Sequence, residues 1–359
     1  MGIKNLTKVI NDQTPTAIKS LSVSQLKGKR VAIDTSIILY QYVTAIRSTG
    51  SDLKGLNNAS TSHIMGILIK TLHYLKVDII PIHIFDGNPS ELKLNILKDR
   101  SKIKKDAIGK ILEIEDKINK QEITKEEQNI LELKKITLLK QSVSINKREI
   151  NEAYEIVKLL GVTAYYALEE ADSQCAYMAR NNLVDYVATE DMDLLTFGTK
   201  TIIKNFMKNN MHTINLDDIL SQGDITMEQF IDICILLGCD YTESIDGIGY
   251  KKAWSLIKKY ISIEKLISTD KNIINNKYKI PDNFRYIQSR EYFTNPRYIP
   301  INNDDIKLSV PKLNELKQLL ITKYGFNEHN IEKMIRFLRV KHNIYDKTYK
   351  EQNPFDDTD

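Results

Sequence analysis

The chain has 359 residues, 42% of them hydrophobic, which is enough to form the core of one large domain or of two to three average ones. Its 51 lysines and arginines nearly balance 47 aspartates and glutamates, so the net charge of +4 does not by itself identify a polyanionic partner. No segment approaches the ~20 continuous apolar residues that a membrane span requires, so we expect no integral membrane protein.

The first part of the chain predicts the beginning of an α/β sheet. A short apolar run at 31–33 ends at Asp34, and residues 35–47 follow with helical spacing. Helical spacing returns at 63–75, and the apolar segment 79–85 stops at Asp86-Gly87. Strand, helix, helix and strand in this order are typical of a parallel sheet with helices on its faces.

Residues 91–151 have a different composition. Lysine, glutamate and isoleucine dominate, proline is absent and Gly109 is the only glycine, which predicts long helices separated near Thr124. The first of these helices is strongly basic, because only Asp99 and Asp106 oppose seven cations. These are Lys93, Lys98, Arg100, Lys102, Lys104, Lys105 and Lys110. Such a segment is usually a solvated insertion, but the skew would also suit a surface that faces phosphates.

The sheet resumes after this insertion. We predict a helix at 150–160 closed by Gly161, a strand at 162–166, a helix at 170–180, a strand at 186–189, a β pair at 201–204 and 212–215, and helices from Thr226 onward. The predicted fold class is therefore α/β, with a central, mostly parallel, twisted sheet flanked by helices. The expected regions are 1–90, the insertion 91–150, 151–300, a helical closure 301–343 and a polar, mobile tail 344–359.

Seven acidic residues stand where predicted strands end or helices begin: Asp34, Asp86, Glu170, Asp172, Asp191, Asp193 and Asp240. In an open α/β sheet, functional sites gather at the carboxyl ends of the strands. Any one of these acids is more often a turn former or helix cap, but the i, i+2 pairs at 170/172 and 191/193 favour a shared site.

Crowded carboxylates repel one another and raise their pKa values, and divalent cations remove that penalty. Hard oxygen ligands select Mg²⁺ or Mn²⁺ rather than zinc. Two such ions ~4 Å apart would activate water against a phosphodiester and stabilise the leaving oxygen.

A glycine turn follows the last acid. Gly247-Ile248-Gly249 joins two predicted helices in a helix-hairpin-helix element at about 226–262, and Lys251 and Lys252 open the second helix. Glycines let backbone N–H groups approach phosphates closely, and a helix N-terminus attracts them. A Gly-x-Gly turn alone is usually only a turn, but with paired lysines it favours duplex binding. Such a hairpin would also hold a monovalent cation such as K⁺, with Ser244 as a candidate side-chain ligand.

The motifs occur in an order that resembles the flap endonuclease branch of the structure-specific 5′ nuclease (xeroderma pigmentosum G-type) superfamily, over roughly residues 1–340. They are Met1-Gly2-Ile3, Val31-Ala32-Ile33-Asp34, Phe85-Asp86-Gly87, Glu170-Ala171-Asp172, Ala188-Thr189-Glu190-Asp191-Met192-Asp193, Leu236-Leu237-Gly238-Cys239-Asp240-Tyr241 and Gly247-Ile248-Gly249. The resemblance implies a PIN-like nuclease core in which the insertion forms a helical arch that a 5′ single strand passes through.

The resemblance also implies roles for individual residues. Asp34, Asp86, Glu170 and Asp172 would surround the first metal, and Asp191, Asp193 and Asp240 the second. Lys93 and Arg100 would steer and polarise the scissile phosphate, Tyr40 would stack on a flap base, and Gly2 would lie near the site.

Two departures from the family pattern affect specificity and partners. The acidic stretch of the 3′-flap pocket is replaced by Leu56-Asn57-Asn58-Ala59, although Arg47 and Thr61 still match. Gln352-Asn353-Pro354-Phe355 does not supply a sliding-clamp motif, and the basic nuclear-targeting tail is missing. The sequence therefore supports neither clamp recruitment nor nuclear import. We also expect a monomer.

The expected function is a 5′ flap endonuclease with 5′–3′ exonuclease activity in DNA replication and repair, acting on branched or flapped DNA with two Mg²⁺. A processive 5′–3′ exonuclease of the same superfamily shares every catalytic acid and stays open as an alternative. The long helical insertion disfavours a Holliday-junction resolvase, and the complete set of acids disfavours a non-catalytic DNA-binding protein.

Three cysteines without a CxxC pair and the absence of a signal-peptide pattern predict a soluble, intracellular protein. The isoleucine-, lysine- and asparagine-rich composition suggests an AT-rich genome, such as that of a virus. The nucleus and a viral replication compartment both stay open as locations.

Overall fold

The fold, taken from a computed structural model, is described for residues 2–47, 53–120, 124–275 and 277–344. Within these ranges one sheet of seven strands has the order β1-β7-β6-β5-β2-β3-β4. The strands are β1 (Ile18–Ser20), β2 (Arg30–Asp34), β3 (Ile80–Phe85), β4 (Thr163–Tyr166), β5 (Tyr186–Ala188), β6 (Thr201–Lys204) and β7 (His212–Asn215). Strands β4, β3, β2, β5 and β6 run parallel, and β7 pairs antiparallel with both β6 and β1.

The register of the central strand β2 aligns the strand ends. Ala32 pairs with Ile82 of β3 on one side and with Val187 of β5 on the other. Asp34 is the last residue of β2, and Asp86 directly follows β3. The parallel strands therefore deliver their carboxyl ends, and the acids that follow them, to the same edge of the sheet.

Helices cover both faces of the sheet, as buried parallel strands require. They are α1 (Leu6–Gln13), α2 (Thr35–Arg47), α3 (Ser62–Lys76), α4 (Leu94–Asn119), α5 (Lys125–Ser142), α6 (Lys147–Leu159), α7 (Ala171–Arg180), α8 (Asp193–Thr196), α9 (Leu216–Gly223), α10 (Met227–Leu237), α11 (Tyr250–Tyr260), α12 (Ile263–Thr269), α13 (Lys271–Ile274), α14 (Tyr286–Thr294), α15 (Leu313–Gln318) and α16 (Glu328–Lys341), with a π-helical turn at Leu319–Lys323. One core packs Ala32 and Ile82 against α1, α7 and α10, and another packs Phe85 and Ala164 against α3, α6, α15 and α16.

Helices α4 and α5, called here the arch helices, form a hairpin with its own small core. Ala107, Ile111 and Ile114 of α4 are buried with Leu138 of α5. Thr124 begins α5 with a capping box, in which its hydroxyl accepts from Glu127 N and the Glu127 carboxylate accepts from Thr124 N. This confirms the predicted separation near Thr124.

The predicted fold class is confirmed, and the predicted strands and helices recur within a few residues of their expected bounds. The helix predicted at 150–160 begins earlier, at Lys147, because Asn146 and Glu149 form a capping box. Helix α1 and the three-residue strand β1 were not predicted. Of the predicted mobile tail 344–359, residues 345–359 lie outside the described residues. Among the helices that are described, none is both long and apolar enough to cross a membrane.

Candidate active site

Six of the seven predicted acids line a single cavity of about 760 Å³ at the carboxyl edge of the sheet. They are Asp34, Asp86, Glu170, Asp172, Asp191 and Asp240. The seventh, Asp193, is 2% exposed and lies behind Asp191, where its Oδ1 accepts a hydrogen bond from Ile3 N at 2.8 Å. Acids far apart in the sequence are thus brought together by the parallel sheet.

Backbone donors fix several of these carboxylates. Asp86 Oδ1 accepts from Ala171 N at 2.9 Å, which joins the end of β3 to the N-terminus of α7. Asp191 Oδ1 accepts from Asp193 N at 3.0 Å, and Asp191 N donates to Thr189 Oγ1 at 2.9 Å. These contacts fix the orientation of the Asp86 and Asp191 carboxylates within a crowded site.

Burial and mutual repulsion shift the ionisation of the innermost acids. Burial, and then the charge of Asp86, raise the pKa of Asp34 well above its usual range. Burial and the charge of Asp191 likewise raise the pKa values of Asp172 and Asp193. These acids lie so close together that their full negative charge is unfavourable without added cations.

Two basic residues from the base of the arch partly neutralise this charge. Lys93 Nζ lies 2.7 Å from Glu170 Oε2 and 3.8 Å from Asp240 Oδ2. Arg100 contacts Asp240 Oδ2 at 2.6 Å through its guanidinium. Burial lowers the pKa of Lys93, but Glu170 and Asp172 more than compensate, so its pKa is raised and the ammonium stays charged.

The chemistry of this cluster fits divalent cations. Among the residues that the structure describes, no three acidic, histidine or cysteine side chains already stand in the arrangement of a metal centre. Asp172 Oδ1 is nevertheless buried without a hydrogen-bond partner among those residues. A buried, unpaired carboxylate oxygen is costly unless a cation meets it, and an all-oxygen donor set suits Mg²⁺ or Mn²⁺.

Gly2 lies against the Asp191/Asp193 pair, as the resemblance implies. Its φ is +79°, and a Cβ added there would come within 1.8 Å of Asp191 Oδ1. Only glycine allows the chain to approach the carboxylates this closely.

The side of the cavity opposite the sheet is formed by α2 and the arch helices. Tyr40 of α2 lines it and is 41% exposed, and Lys104 of α4 and Lys140 of α5 line it as well. Thr61 is buried, and its hydroxyl donates to Leu53 O at 3.2 Å, so it ties the residue before α3 to Leu53. Arg47 ends α2, and its side chain lies outside the described part of the structure.

The glycine turn leads into α11, with Gly249 as the residue before the helix. Gly247 has φ +89°, and a Cβ there would lie 2.7 Å from the Tyr278 ring, whereas a Cβ at Gly249 would meet nothing within 4 Å. Lys251 is exposed, but Lys252 Nζ donates to Gly247 O at 2.9 Å and lies 4.6 Å from the Tyr278 ring centre. Lys252 therefore braces the turn, while the half-buried Ser244 precedes it.

Comparison with known proteins agrees with this geometry. The family models for the XPG N-terminal domain and the XPG I-region match residues 1–107 and 161–240. Flap endonuclease 1 of Drosophila mojavensis is 36% identical over 343 residues, which cover 94% of this chain and 84% of that protein. The chain belongs to the flap endonuclease branch of the XPG family.

Other members of the family differ in length. Flap endonuclease 1 of Plasmodium vivax is 39% identical over 95% of this chain, but the chain spans only 56% of that relative. The chain thus spans about half the length of the relatives from Plasmodium vivax, Plasmodium knowlesi and Plasmodium falciparum. The solved structure of flap endonuclease-1 from Methanococcus jannaschii has a TM-score of 0.67 and 26% identity, over 92% of this chain and 98% of that chain.

Some contacts in the candidate site of the present chain were not predicted from its sequence. Tyr241 donates its hydroxyl to Glu170 Oε2 at 2.9 Å, and Ser36 donates to Asp86 Oδ2. An aromatic residue directly after Asp240 was the available signal for Tyr241. Ser36 had none, since a serine in the first turn of a helix is commonplace.

Proposed function

We propose that the chain is a Mg²⁺-dependent, structure-specific 5′ flap endonuclease with 5′–3′ exonuclease activity, which hydrolyses phosphodiesters at branched DNA junctions in replication and repair. The observation that carries this proposal is the single cavity in which six carboxylates meet Lys93 and Arg100 beneath the arch helices. Membership of the flap endonuclease branch supports the same activity.

Two Mg²⁺ ions, for which Mn²⁺ could substitute, would be held by the acids of the cavity and by Asp193. Asp34, Asp86, Glu170 and Asp172 would hold the first ion, and Asp191, Asp193 and Asp240 the second. When bound, the ions supply an activated hydroxide and stabilise the leaving oxygen. Lys93 and Arg100 would transfer their hydrogen bonds from Glu170 and Asp240 to the scissile phosphate, whose charge they would neutralise.

The parts around the cavity would select the substrate. The insertion 91–150 would pass a 5′ single strand, Tyr40 would stack on a flap base, and Arg47 and Thr61 would belong to a 3′-flap pocket of altered stringency. Gly247, Gly249, Lys251 and Lys252 would bind the duplex, with K⁺ held near Ser244 by turn carbonyls. Gly2 would lie close to the DNA at the site.

We also propose the divisions 1–90, 151–300, 301–343 and 344–359. We further propose a monomer without clamp recruitment, which acts in the nucleus or in a viral replication compartment.

The test is cleavage of a labelled double-flap DNA by the purified full chain with Mg²⁺. We expect cleavage at the base of the 5′ flap, and its loss in the Asp191→Ala/Asp193→Ala variant, because the second metal would lose two ligands. An Asp304→Ala/Asp305→Ala variant is the matched control, since it removes two neighbouring acids that are exposed. Persistent cleavage by the first variant would remove the site assignment.

Further arms of the assay separate the alternatives. Faster cleavage of a recessed duplex than of a flapped one would favour a processive 5′–3′ exonuclease that uses the same acids. Binding of branched DNA without cleavage in either Mg²⁺ or Mn²⁺ would favour a non-catalytic binding protein.

A further inference from the structure

One carboxylate oxygen of the site accepts two hydrogen bonds of different character. Glu170 Oε2 lies 2.7 Å from Lys93 Nζ and 2.9 Å from the hydroxyl of Tyr241. Ser90 adds a longer contact to Oε1 at 3.4 Å. The carboxyl group of Glu170 is thus oriented mainly by one flexible cation and one aromatic hydroxyl.

The position of the Tyr241 hydroxyl is fixed by packing. Tyr241 is 2% exposed, and its ring packs 4.7 Å from the ring of Tyr292 and edge-on to Phe293 at 5.1 Å. A tyrosine hydroxyl carries its proton at neutral pH, so it acts as the donor to the Glu170 carboxylate.

Lys93 has a more flexible side chain than Tyr241, and it also faces a second acid. Its ammonium sits on a four-carbon stem with many rotamers, and it also faces Asp240 at 3.8 Å. In the proposed reaction Lys93 turns to the scissile phosphate and releases Glu170. The Tyr241 hydroxyl would then be the main group that keeps Glu170 in place.

We propose that Tyr241 is a positioning residue that holds Glu170 in its metal-binding orientation, independently of Lys93. The proposal rests on the proposed function, because it assumes that Glu170 ligates a divalent cation. Partners that orient a metal ligand typically change metal affinity by about 10- to 100-fold when removed.

The test is Mn²⁺ binding to the full chain without DNA, measured by electron paramagnetic resonance and calorimetry. We expect Tyr241→Phe to weaken one Mn²⁺ site, the one that Glu170 would ligate, about 10-fold and to change its spectrum, because Glu170 loses a fixed donor. Tyr292→Phe is the matched control: it removes a hydroxyl from the neighbouring buried ring. That hydroxyl lies near Glu169 and Ser90 but completes no hydrogen bond with a described residue. The Mn²⁺ affinity of Tyr292→Phe should stay close to that of the unchanged chain.

A second pair of variants keeps the proposal testable if Tyr241→Phe loses stability. In a Glu170→Gln background, Tyr241→Phe should cause no further loss of Mn²⁺ affinity, because its target is already neutral. In a Lys93→Ala background, Tyr241→Phe should still cause its full loss.

Each outcome has a distinct meaning. If the unchanged chain binds no Mn²⁺, the proposed metal-dependent function fails. If it binds Mn²⁺ and Tyr241→Phe binds equally well, only the role of Tyr241 is overturned. Equal losses in Tyr241→Phe and Tyr292→Phe, or additive losses with Glu170→Gln, would also overturn it, since they indicate general loosening.

Discussion

Gly2 and Asp191 are in such close contact that no other amino acid fits at position 2 without movement. A Cβ on Gly2 would lie 1.8 Å from Asp191 Oδ1 and 2.6 Å from Asp193 Oδ1. The next residue, Ile3, donates its N–H to Asp193. The N-terminal segment therefore shapes the part of the site where the second metal is proposed.

Gly2→Ala should slow cleavage of a double-flap DNA by about 100-fold, because a displacement of about 1 Å in a catalytic constellation has that effect. Single-turnover rates and thermal unfolding of the same preparations would measure it. Gly28→Ala is the control, since Gly28 has a similar φ of +72° but nothing within 4 Å of its Cβ position. Equal rates for the two variants would contradict a role for the Gly2 contact.

Arg100→Ala should slow cleavage by about 10²- to 10³-fold, the loss typical of one removed donor to developing charge. Its ion pair with Asp240 involves a side chain that is 41% exposed, so the unfolding free energy should change by less than ~1 kcal/mol. Single-turnover rates and denaturant unfolding would separate the two effects. Arg148→Ala, which removes an exposed arginine that pairs with the buried Glu152 on α6, is the control and should leave cleavage unchanged. A large stability loss with normal cleavage would refute the assignment.

Asp34 and Asp86 are predictable from the sequence because each follows a buried apolar strand, and parallel strands end at one edge of a sheet. The arch helices and the cap at Thr124 are also predictable from local sequence. Composition indicates the helices, and the Thr-x-x-Glu spacing indicates the cap. Local sequence is sufficient wherever the determining contacts lie within a few residues.

Contacts between distant segments are not predictable in this way. Strand β1 exists because Ile18 pairs with Ile214 at the edge of the sheet, and nothing within Ile18–Ser20 alone indicates a strand. The burial of Asp193 behind Asp191 depends on Ile3, which is 190 residues away. Lys252 follows the turn, but nothing near it in the sequence indicates that its ammonium contacts the Tyr278 ring.

The raised pKa values of Asp34, Asp172 and Asp193 predict how the metal-free chain responds to pH. Their folded-state pKa values exceed the ordinary value of 3.8, so the folded state holds protons that the unfolded state has released. Their contribution to stability is full below the ordinary pKa and is lost as the pH rises through the raised values. With a chelator present, thermal stability should therefore fall as the pH rises from weakly acidic to weakly basic.

Asp172→Asn tests whether repulsion between these carboxylates causes the pH dependence of stability, because it removes one of the repelling charges. The variant should be more stable than the unchanged chain in chelator at weakly basic pH, with a smaller pH dependence, yet cleave double-flap DNA poorly. Asp304→Asn, at an exposed acid, should change neither property. Identical pH profiles for Asp172→Asn and the unchanged chain would show that repulsion at this site does not limit stability.

The two glycines of the hairpin should respond differently to alanine. Gly247→Ala should destabilise the fold, because φ is +89° and its Cβ would lie 2.7 Å from Tyr278 Cδ1. Gly249→Ala meets no protein atom within 4 Å, so the fold should keep its stability to within about 1 kcal/mol. If backbone N–H groups at the start of α11 bind phosphate, the added methyl should instead weaken duplex binding about tenfold, by roughly 1.4 kcal/mol.

Fluorescence anisotropy with a labelled duplex, in Ca²⁺ and at one fixed salt concentration, would measure this binding. Gly109→Ala in α4 is the matched control, since its Cβ would also meet nothing within 4 Å and the substitution suits a helix interior. It should leave duplex affinity unchanged. Unaltered affinity in Gly249→Ala would mean that the open space at this turn does not face the DNA, and the duplex would then have to bind through other surfaces of the hairpin.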